Sequence, residues 1–313
     1  MSTGPWPRYR VHEAAVVYFN AVWRAGSIRT AARQLNVAST AVNRQILKLE
    51  ETLGVALFER VPKGIKLTAA GESFARHATI VLQDFDRVIS DIEALKGIRG
   101  GHVEIVTTEG LCTDLLPCVL ELARQRYPEV TFGIQVRSVP DIPVLVCNGD
   151  AHIGLTFDLA RRADLRQVTV RRFRVGAVVK GDSELAGRRS VTLRDCADYP
   201  LILARQNFAM RQQIEPGLLA LGLGHRQSIE AESLELMKRS VLRGLGIGFQ
   251  TRIGLERELE SGALVHIPLN LDNSLFQDLG TYVKPGSGLS PAVDAFSRLL
   301  VDEIALREAI DQH

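Results

Sequence analysis

Two kinds of side chain alternate at helical spacing between residues 37 and 53. One side of such a helix is apolar and would seat it on a core, through Val42, Ile46, Leu49 and Leu53. The other side carries hydrogen-bond donors: Ser39, Thr40, Asn43, Arg44 and Lys48. Side chains of these types bind nucleobase edges and phosphate oxygens. The alternative interpretation is a polar helix face that only meets solvent.

The distribution of charge along the chain favours a polyanionic partner for this region. Residues 1–66 contain seven Arg and three Lys against four Glu and no Asp, a net charge of +6. Since the whole chain has a net charge of +2, the remainder carries −4. A basic first fifth joined to a mildly acidic remainder indicates that the N-terminal segment contacts a polyanion and the rest does not.

The elements around the donor-bearing helix predict a winged helix-turn-helix. Apolar periodicity predicts a first helix over residues 12–25, and Ser27 is expected to cap a second one. The third helix should end at Gly54, because glycine adopts the left-handed conformation of a helix stop. Strand-like runs at 57–60 and 65–68 then flank a turn, which gives a small basic hairpin. Together these features favour an all-α/winged helix-turn-helix domain whose third helix reads nucleic acid.

A heptad repeat follows the hairpin. Apolar residues spaced alternately four and three apart form it: Phe74, Ala78, Val81, Phe85, Val88, Ile92 and Leu95. A period of 3.5 buries a narrow seam against a partner helix, so these residues predict a dimerisation helix. An ordinary helix packed on its own core remains the alternative, because three heptads are few.

Beyond Gly101 the chain alternates strand and helix patterns. Strands are predicted at 102–108, 130–136, 152–157, 175–179, 200–204, 246–250, 264–269 and 280–284, and a last amphipathic helix at 292–310. Helices between these strands predict an α/β fold with mostly parallel sheet. Two similar halves of this kind suggest two lobes around a cleft.

Length and composition exclude some classes of protein. The chain has 313 residues, enough for two or three domains. Its longest stretch without Asp, Glu, Lys or Arg, residues 261–271, is far shorter than the roughly 20 residues of a membrane helix. The N-terminus does not look like a secretory signal, so we expect a cytoplasmic protein.

The cysteines give no metal or redox motif. Cys112, Cys118, Cys147 and Cys196 are irregularly spaced without a C-x-x-C pair. They are expected to be buried thiols in a reducing compartment. We expect neither a metal site nor a cofactor.

The sequence resembles a known family over most of its length. Residues 26–71, GSIRTAARQLNVASTAVNRQILKLEETLGVALFERVPKGIKLTAAG, resemble the N-terminal signature of LysR-type transcriptional regulators nearly position for position. Residues 114–130, 148–157, 190–203 and 243–250 match the rest of the family more weakly. The resemblance implies a DNA-binding dimer or tetramer, joined through its linker helix. It also implies a two-lobed domain, like a periplasmic binding protein, that takes a small effector.

On this basis we expect a multidomain protein. The limits would be 1–66 for the winged helix-turn-helix, 67–97 for the linker helix and 98–313 for the effector-binding domain. Within that domain, lobe I would comprise 98–162 and 267–313, and lobe II 163–266. The residues expected to bind double-stranded DNA are Ser27, Arg33, Ser39, Thr40, Asn43, Arg44, Lys48, Arg60, Lys63 and Lys66.

The effector cleft is expected where predicted strands run into helices. Thr107, Thr108 and Gly110 lie near a helix N-terminus, which favours anions. The alternative is that both threonines are merely β-branched strand residues. By resemblance, the full effector set would be Thr107, Thr108, Gly110, Ser138, Phe157, Arg205, Gln206, Asn207, Gln250 and Thr251. Because Arg205 would face the same cleft, we hypothesise that the effector is a small organic anion.

The chain departs from the family pattern at several positions. Ala38, Ser39 and Thr40 stand where Ser-Gln-Pro is common, and Asn43 stands where Ser is usual. Asn can make a bidentate contact with adenine, so the operator need not follow the commonest half-site. His152 replaces a usual Asp and is expected to be a structural histidine.

Three other interpretations have less support. Residues 244–248, GLGIG, lack the third glycine of a dinucleotide loop and follow a helix instead of preceding one. The second-lobe loop has no cysteine, so thiol sensing through that loop is not supported. An enzyme or solute-binding protein built on the two-lobed domain remains the rival, although no Ser-His-Asp, paired-carboxylate or metal set can be recognised.

Overall fold

A computed structural model describes residues 13–62, 64–95, 100–206, 208–222, 227–270, 275–286 and 288–311. The chain divides into two compact units, Met1–Ile92 and Glu93–His313. Each unit has its own apolar core.

The first unit is a winged helix-turn-helix. Its helices are α1 (Glu13–Ala25), α2 (Ile28–Gln34) and α3 (Ser39–Leu53), and its wing is the antiparallel pair β1 (Phe58–Val61) and β2 (Gly64–Leu67). The side chain of Ser27 accepts a hydrogen bond from the N–H of Thr30, which caps α2 as predicted. Gly54 ends α3 with φ 71°, also as predicted.

Phe19 lies at the centre of the first unit. Its ring is fully buried and lies 4.7 Å from the ring of Phe74 and 4.9 Å from that of Phe58. Since these rings come from α1, from the helix after the wing and from β1, one aromatic cluster joins three elements. The buried residues of α3 are Val42, Ile46 and Leu49. Leu53 was expected to join them but is 41% exposed in the last turn.

The helix α4 (Ala69–Leu95) carries the heptad residues. Phe74, Ala78 and Val81 pack against the core of the first unit, as an ordinary core-packed helix would. Phe85 and Val88 are instead exposed. The side chains of Ile92 and Leu95 lie outside the described residues. The first half of the heptad is therefore explained within the unit, whereas Phe85 and Val88 are apolar side chains that its core does not cover.

The second unit contains two five-stranded sheets. Its elements in chain order are β3 (Gly101–Thr107), a 3₁₀ turn (Glu109–Cys112), α5 (Leu115–Arg126), β4 (Val130–Val136), α6 (Asp141–Asn148), β5 (Ile153–Phe157), β6 (Arg166–Arg174), β7 (Gly176–Lys180), β8 (Leu201–Ala204), α7 (Ala209–Ala220), β9 (Gln227–Ala231), α8 (Leu234–Leu242), β10 (Ile247–Gln250), α9 (Glu256–Glu260), β11 (Leu264–Pro268), β12 (Phe276–Val283) and α10 (Pro291–Asp311).

The two sheets have the same construction. The first has strand order β4-β3-β5-β12-β6 and the second β9-β8-β10-β7-β11. In each sheet the first three strands are parallel, and the fourth is antiparallel to both of its neighbours. The carboxyl ends of the parallel strands are the usual ligand-binding edge of such sheets.

Two edge strands were missed in the sequence. The strand β6 reads RQVTVRRFR and β9 reads QSIEA, and neither has the apolar run of a central strand. Charged residues on an edge strand protect its open hydrogen-bonding side from other chains, but they hide the strand pattern. Because β6 pairs with β12 in the first sheet, the lobe boundary expected at residue 163 was placed too early, and lobe II begins at β7.

We predict that Phe19→Ala destabilises the first unit by about 3 to 5 kcal/mol, because it removes the ring at the centre of the aromatic cluster. Differential scanning calorimetry of the full chain would show the loss as a lower unfolding temperature for the first unit. Tyr18→Phe, at the half-buried neighbouring position on α1, is the control and should change it little. Equal effects of the two substitutions would contradict the assignment of Phe19 as the centre of this core.

Candidate functional sites

The polar face of α3 is free for a ligand. Ser39, Thr40, Arg44 and Lys48 are exposed, and Asn43 is half-buried at the edge of that face. Because Val42, Ile46 and Leu49 occupy the buried stripe, the donors can only point away from the core. The sequence therefore predicted the orientation of this helix correctly.

The start of α3 adds main-chain donors to this face. Its N-cap residue, Ala38, gives no side-chain hydrogen bond, and the first turn contains no acidic residue. Main-chain N–H groups at such a terminus, with the positive end of the helix dipole, suit a phosphate. Leu47 was not predicted but is 55% exposed on α3. An apolar side chain among these donors is the type that contacts a thymine methyl group.

The other expected DNA contacts flank this helix. Arg33 on α2 and Arg60 and Lys66 on the wing strands are exposed. Ser27 is half-buried, and its oxygen caps α2. Lys63 lies outside the described residues. Cations therefore occupy both the second helix and the wing on either side of α3.

Glu50, which sequence analysis missed, joins the wing to α3. One of its carboxylate oxygens, Oε1, accepts hydrogen bonds from the N–H of Leu57 at 2.7 Å and of Phe58 at 3.1 Å. A charged acceptor on two main-chain donors makes a strong contact. The start of β1 is thus held against the last turns of the reading helix.

A second contact joins the wing to the turn between α1 and α2. The N–H of Ile65 donates to the carbonyl of Gly26 at 3.1 Å. Gly64 has φ 134°, and a Cβ there would lie 2.6 Å from the Gly26 oxygen. Glycine is required at position 64 both by its φ and by this close approach.

The second candidate site lies in the second unit, at the carboxyl ends of the parallel strands. Glu109, just after β3, accepts hydrogen bonds from the hydroxyl of Ser233 at 2.8 Å and from the N–H of Leu234 at 3.0 Å. Both donors follow β9 of the other sheet. The carboxyl edges of the two sheets therefore face each other, which is the arrangement of a cleft between lobes.

The expected effector residues of the first sheet differ in their surroundings. Thr107 is fully buried, and its hydroxyl makes no hydrogen bond within the described part of the chain. Along β3, Thr107 lies on the same face of the strand as Val103 and Ile105, which pack in a core with residues of α5 and α10. This position agrees with the alternative that Thr107 is a β-branched strand residue. Thr108, Gly110 and Phe157 are half-buried, and the exposed Ser138 donates to the carboxylate of Asp141.

The expected residues of the second sheet also end its parallel strands. Arg205 follows β8, is exposed, and lies 3.4 Å from the carboxylate of Glu232. Gln206 is exposed, whereas Gln250 and Thr251 are buried at the end of β10. Asn207 lies outside the described residues.

The ring of His266 contacts the main chain at Gln250. Burial is the main cause that lowers the pKa of His266 to about 4, so the ring is neutral near pH 7. Its Nε2 can then donate to the carbonyl oxygen of Gln250 at 3.0 Å. The histidine expected to be structural, His152, accepts a hydrogen bond from the N–H of Glu104 at 2.9 Å.

The thiols and acidic groups show no reactive site in the described ranges. The four cysteines are free, but only Cys196 is buried as expected; Cys112, Cys118 and Cys147 are half-buried. Burial raises the pKa of Cys196 to about 12. A thiol with a raised pKa is a poor nucleophile at neutral pH. No group of His, Cys, Asp and Glu with metal-binding geometry occurs among the residues described.

Comparison with protein families decides between these possibilities. Residues 14–72 match the bacterial regulatory helix-turn-helix proteins of the lysR family, and residues 96–305 match the LysR substrate binding domain. The chain is a LysR-type transcriptional regulator. It is therefore a DNA-binding protein with an effector-binding domain, and not an enzyme. In the described part of this LysR-type chain, no helix is long and apolar enough to cross a membrane.

Individual relatives cover nearly the whole chain. The RuBisCO operon transcriptional regulator of Allochromatium vinosum is 25% identical over 290 residues, which is 92% of this chain and 94% of the relative. The HTH-type transcriptional regulator CysB of Burkholderia cenocepacia is 27% identical over 244 residues, 75% of this chain and 76% of the relative.

Solved structures share the fold. A full-length OxyR variant from Pseudomonas aeruginosa has a TM-score of 0.69 at 17% identity, covering 95% of this chain and 96% of the other. Full-length CbnR in complex with its target DNA has a TM-score of 0.59 at 18% identity, covering 94% and 100%. Both comparisons confirm a helix-turn-helix domain joined to a two-lobed α/β domain.

We predict that Glu50→Ala loosens the wing. The substitution leaves the N–H groups of Leu57 and Phe58 without their acceptor, which should cost the first unit about 1 to 3 kcal/mol of unfolding free energy. Hydrogen exchange at residues 57–58 should become faster. Glu51→Ala, at the adjacent exposed glutamate, is the matched control and should stay within about 0.5 kcal/mol of the parent. A Glu51→Ala effect as large as that of Glu50→Ala would contradict the contact.

Proposed function

We propose that this regulator inserts α3 into the major groove of double-stranded DNA, with the wing and α2 on the flanking phosphates, and that it responds to a small organic anion bound between its two sheets. We further propose that it acts as a homo-oligomer. One observation supports these DNA-binding residues most directly: the hydrogen-bond donors of α3 are exposed on the face opposite its buried stripe.

Individual DNA contacts divide by chemistry. Asn43, Ser39 and Thr40 have the geometry to read base edges, Asn43 through a bidentate contact with adenine. Arg44 and Lys48 lie further along the same helix, where long cationic side chains reach phosphates or guanine. Ser27, Arg33, Arg60, Lys63 and Lys66 would position the protein on the backbone.

The anion hypothesis rests on the N-terminus of α7. Its N-cap residue, Phe208, provides no side-chain hydrogen bond, and the first turn contains no acidic residue. Arg205 lies three residues earlier on the same loop and is 58% exposed. Its contact with Glu232 is between two exposed side chains, so it stabilises little and a ligand can replace it. Gln206, the next residue, would contact the ligand beside Arg205, and we propose Asn207 as a further contact from its place in the sequence.

The oligomer hypothesis rests on α4. Phe85 and Val88 are 47% and 43% exposed, although they continue the heptad begun by Phe74. A second α4 packed along the stripe from Phe85 to Leu95 would bury these side chains.

We predict that DNA binding weakens steeply as salt rises, because each neutralised phosphate releases counterions. Arg44→Gln and Lys48→Gln should each weaken binding and reduce the slope of log K against log salt by about 1 where the side chain contacts phosphate. The slope is measured by fluorescence anisotropy on genomic fragments retained by the purified protein. Arg124→Gln, an exposed residue of α5 in the second unit, is the control and should leave the slope unchanged. A slope near zero would contradict the proposed contact surface.

We predict that carboxylate metabolites raise the unfolding temperature of the full chain and that their neutral amides do not. Arg205→Gln should lower the affinity for the carboxylate about tenfold or more, so that more ligand is needed for the same rise in unfolding temperature, since a charged hydrogen bond to the ligand anion is lost. Arg194→Gln, an exposed arginine of the same lobe, is the control. Stabilisation by neutral compounds alone, or an equal response of both variants, would exclude an anion at Arg205.

A further inference from the structure

Glu109 makes a contact that the effector cleft itself does not require. Both of its carboxylate oxygens are used: Oε1 accepts from the Ser233 hydroxyl and Oε2 from the N–H of Leu234. The donors form the start of α8, where Ser233 also caps the N–H of Leu236 at 3.1 Å. A side chain of the first sheet thus supplies the negative charge that stabilises a helix terminus of the second.

The two lobes pack in direct contact around this carboxylate. A Cβ on Gly110 would lie 2.7 Å from a methyl carbon of Leu234. A Cβ on Gly254, which has φ 86°, would lie 2.9 Å from the carbonyl oxygen of Gly110 and 2.8 Å from the hydroxyl of Thr113. At Gly254 both the positive φ and the main-chain oxygen of Gly110 require glycine, whereas the atom near Gly110 is the end of the Leu234 side chain.

Apolar packing continues the contact behind the two glycines. Ile253 follows β10, a strand of the second sheet, but its side chain is buried in the core of the first sheet with Leu111 and Leu115. We call the set Glu109, Gly110, Ser233, Leu234, Ile253 and Gly254 the Glu109 junction.

An ion-pair cluster extends the same side of the unit. Arg307 on α10 contacts Asp114 of its own lobe at 2.8 Å and Glu256 of the other lobe. Burial raises the pKa of Glu256, and the Arg307 guanidinium opposes that shift. Arg257 also reaches Asp114 at 3.6 Å, but it is 81% exposed and adds little.

The starts of α6 and α7 lie at the carboxyl edges of the same two sheets, after β4 and β8, and are built differently. We call this part of the cleft the α6/α7 side. Ser138 donates to Asp141 within the first lobe, and Arg205 pairs with Glu232 within the second. Both contacts stay inside one lobe, so neither holds the lobes together.

We propose that Glu109 ties the two lobes together in the ligand-free protein, closing the α8 side of the cleft and leaving the α6/α7 side for the effector. Glu109 is a positioning residue in this role: it contacts the other lobe and not the ligand. This contact between the lobes does not depend on the charge of the effector, so a failure of the anion hypothesis would not contradict it.

Hydrogen exchange on the full-length protein, without ligand, tests the tie. Glu109→Ala should accelerate exchange about 10- to 100-fold at residues 233–237, which lose their charged cap, and also at residues 110–116 of the other lobe. Glu109→Gln should have a smaller effect, because its amide oxygen still accepts hydrogen bonds. Glu121→Ala, at an exposed glutamate of α5, is the matched control and should match the parent.

Added acetate distinguishes a carboxylate that joins the two lobes from one that only caps the start of α8. In Glu109→Ala, acetate can occupy the start of α8 but is not attached to the first lobe. Rising acetate, compared with chloride at equal ionic strength, should therefore slow exchange at 233–237 and leave 110–116 fast. Parent-like exchange at 110–116 in Glu109→Ala would overturn the proposal. Recovery of both segments in acetate would overturn it as well, because a cap alone would then be enough.

Discussion

A carboxylate that accepts main-chain N–H bonds fixes the geometry of both functional surfaces. In the first unit Glu50 holds the start of the wing on the reading helix. In the second unit Glu109 holds one lobe on the other. An ionised acceptor on backbone donors is stronger than a neutral hydrogen bond, and it adds to the apolar packing that Phe58 and Ile253 supply at the same two places. The wing in particular has only two four-residue strands and a small core of its own, so the Glu50 contact limits how far it can slide on α3.

Local signals explain why much of the fold could be predicted from the sequence. Ser27 and Gly54 mark helix ends through the conformation of a few neighbouring residues. The stripe of Val42, Ile46 and Leu49 orients α3 without knowledge of any partner. Central strands such as β3 and β8 are continuous apolar or alternating runs, and they were found within one or two residues of their limits.

Contacts between distant residues could not be predicted in the same way. Glu109 and Ser233 are 124 positions apart, and nothing near Glu109 distinguishes it from an ordinary exposed glutamate. The same limit applies to β6, which was assigned to the wrong lobe because its partner, β12, lies about a hundred residues further along the chain. The heptad shows a third case: its pattern is real, but Phe74 and Ala78 meet the core of their own unit. A periodic stripe identifies the buried side of a helix and not the partner that covers it.

The starts of α7 and α8 differ in the charges around them, and this difference bears on where a ligand would bind in the cleft. The start of α8 already receives a carboxylate from Glu109, so a second anion there would meet like charge. The start of α7 has no acidic residue in its first turn, no side-chain cap at Phe208, and the cation of Arg205 beside it. The proposed ligand anion would therefore meet less uncompensated negative charge on the α7 side, where Arg205 pairs with Glu232, and the described contacts of Ser138 and Arg205 on that side do not join the lobes. A ligand bridging Ser138 and the Arg205 loop would supply on that side the cross-lobe contact that Glu109 supplies on the other, and its differential affinity for the closed arrangement would set how far the equilibrium shifts.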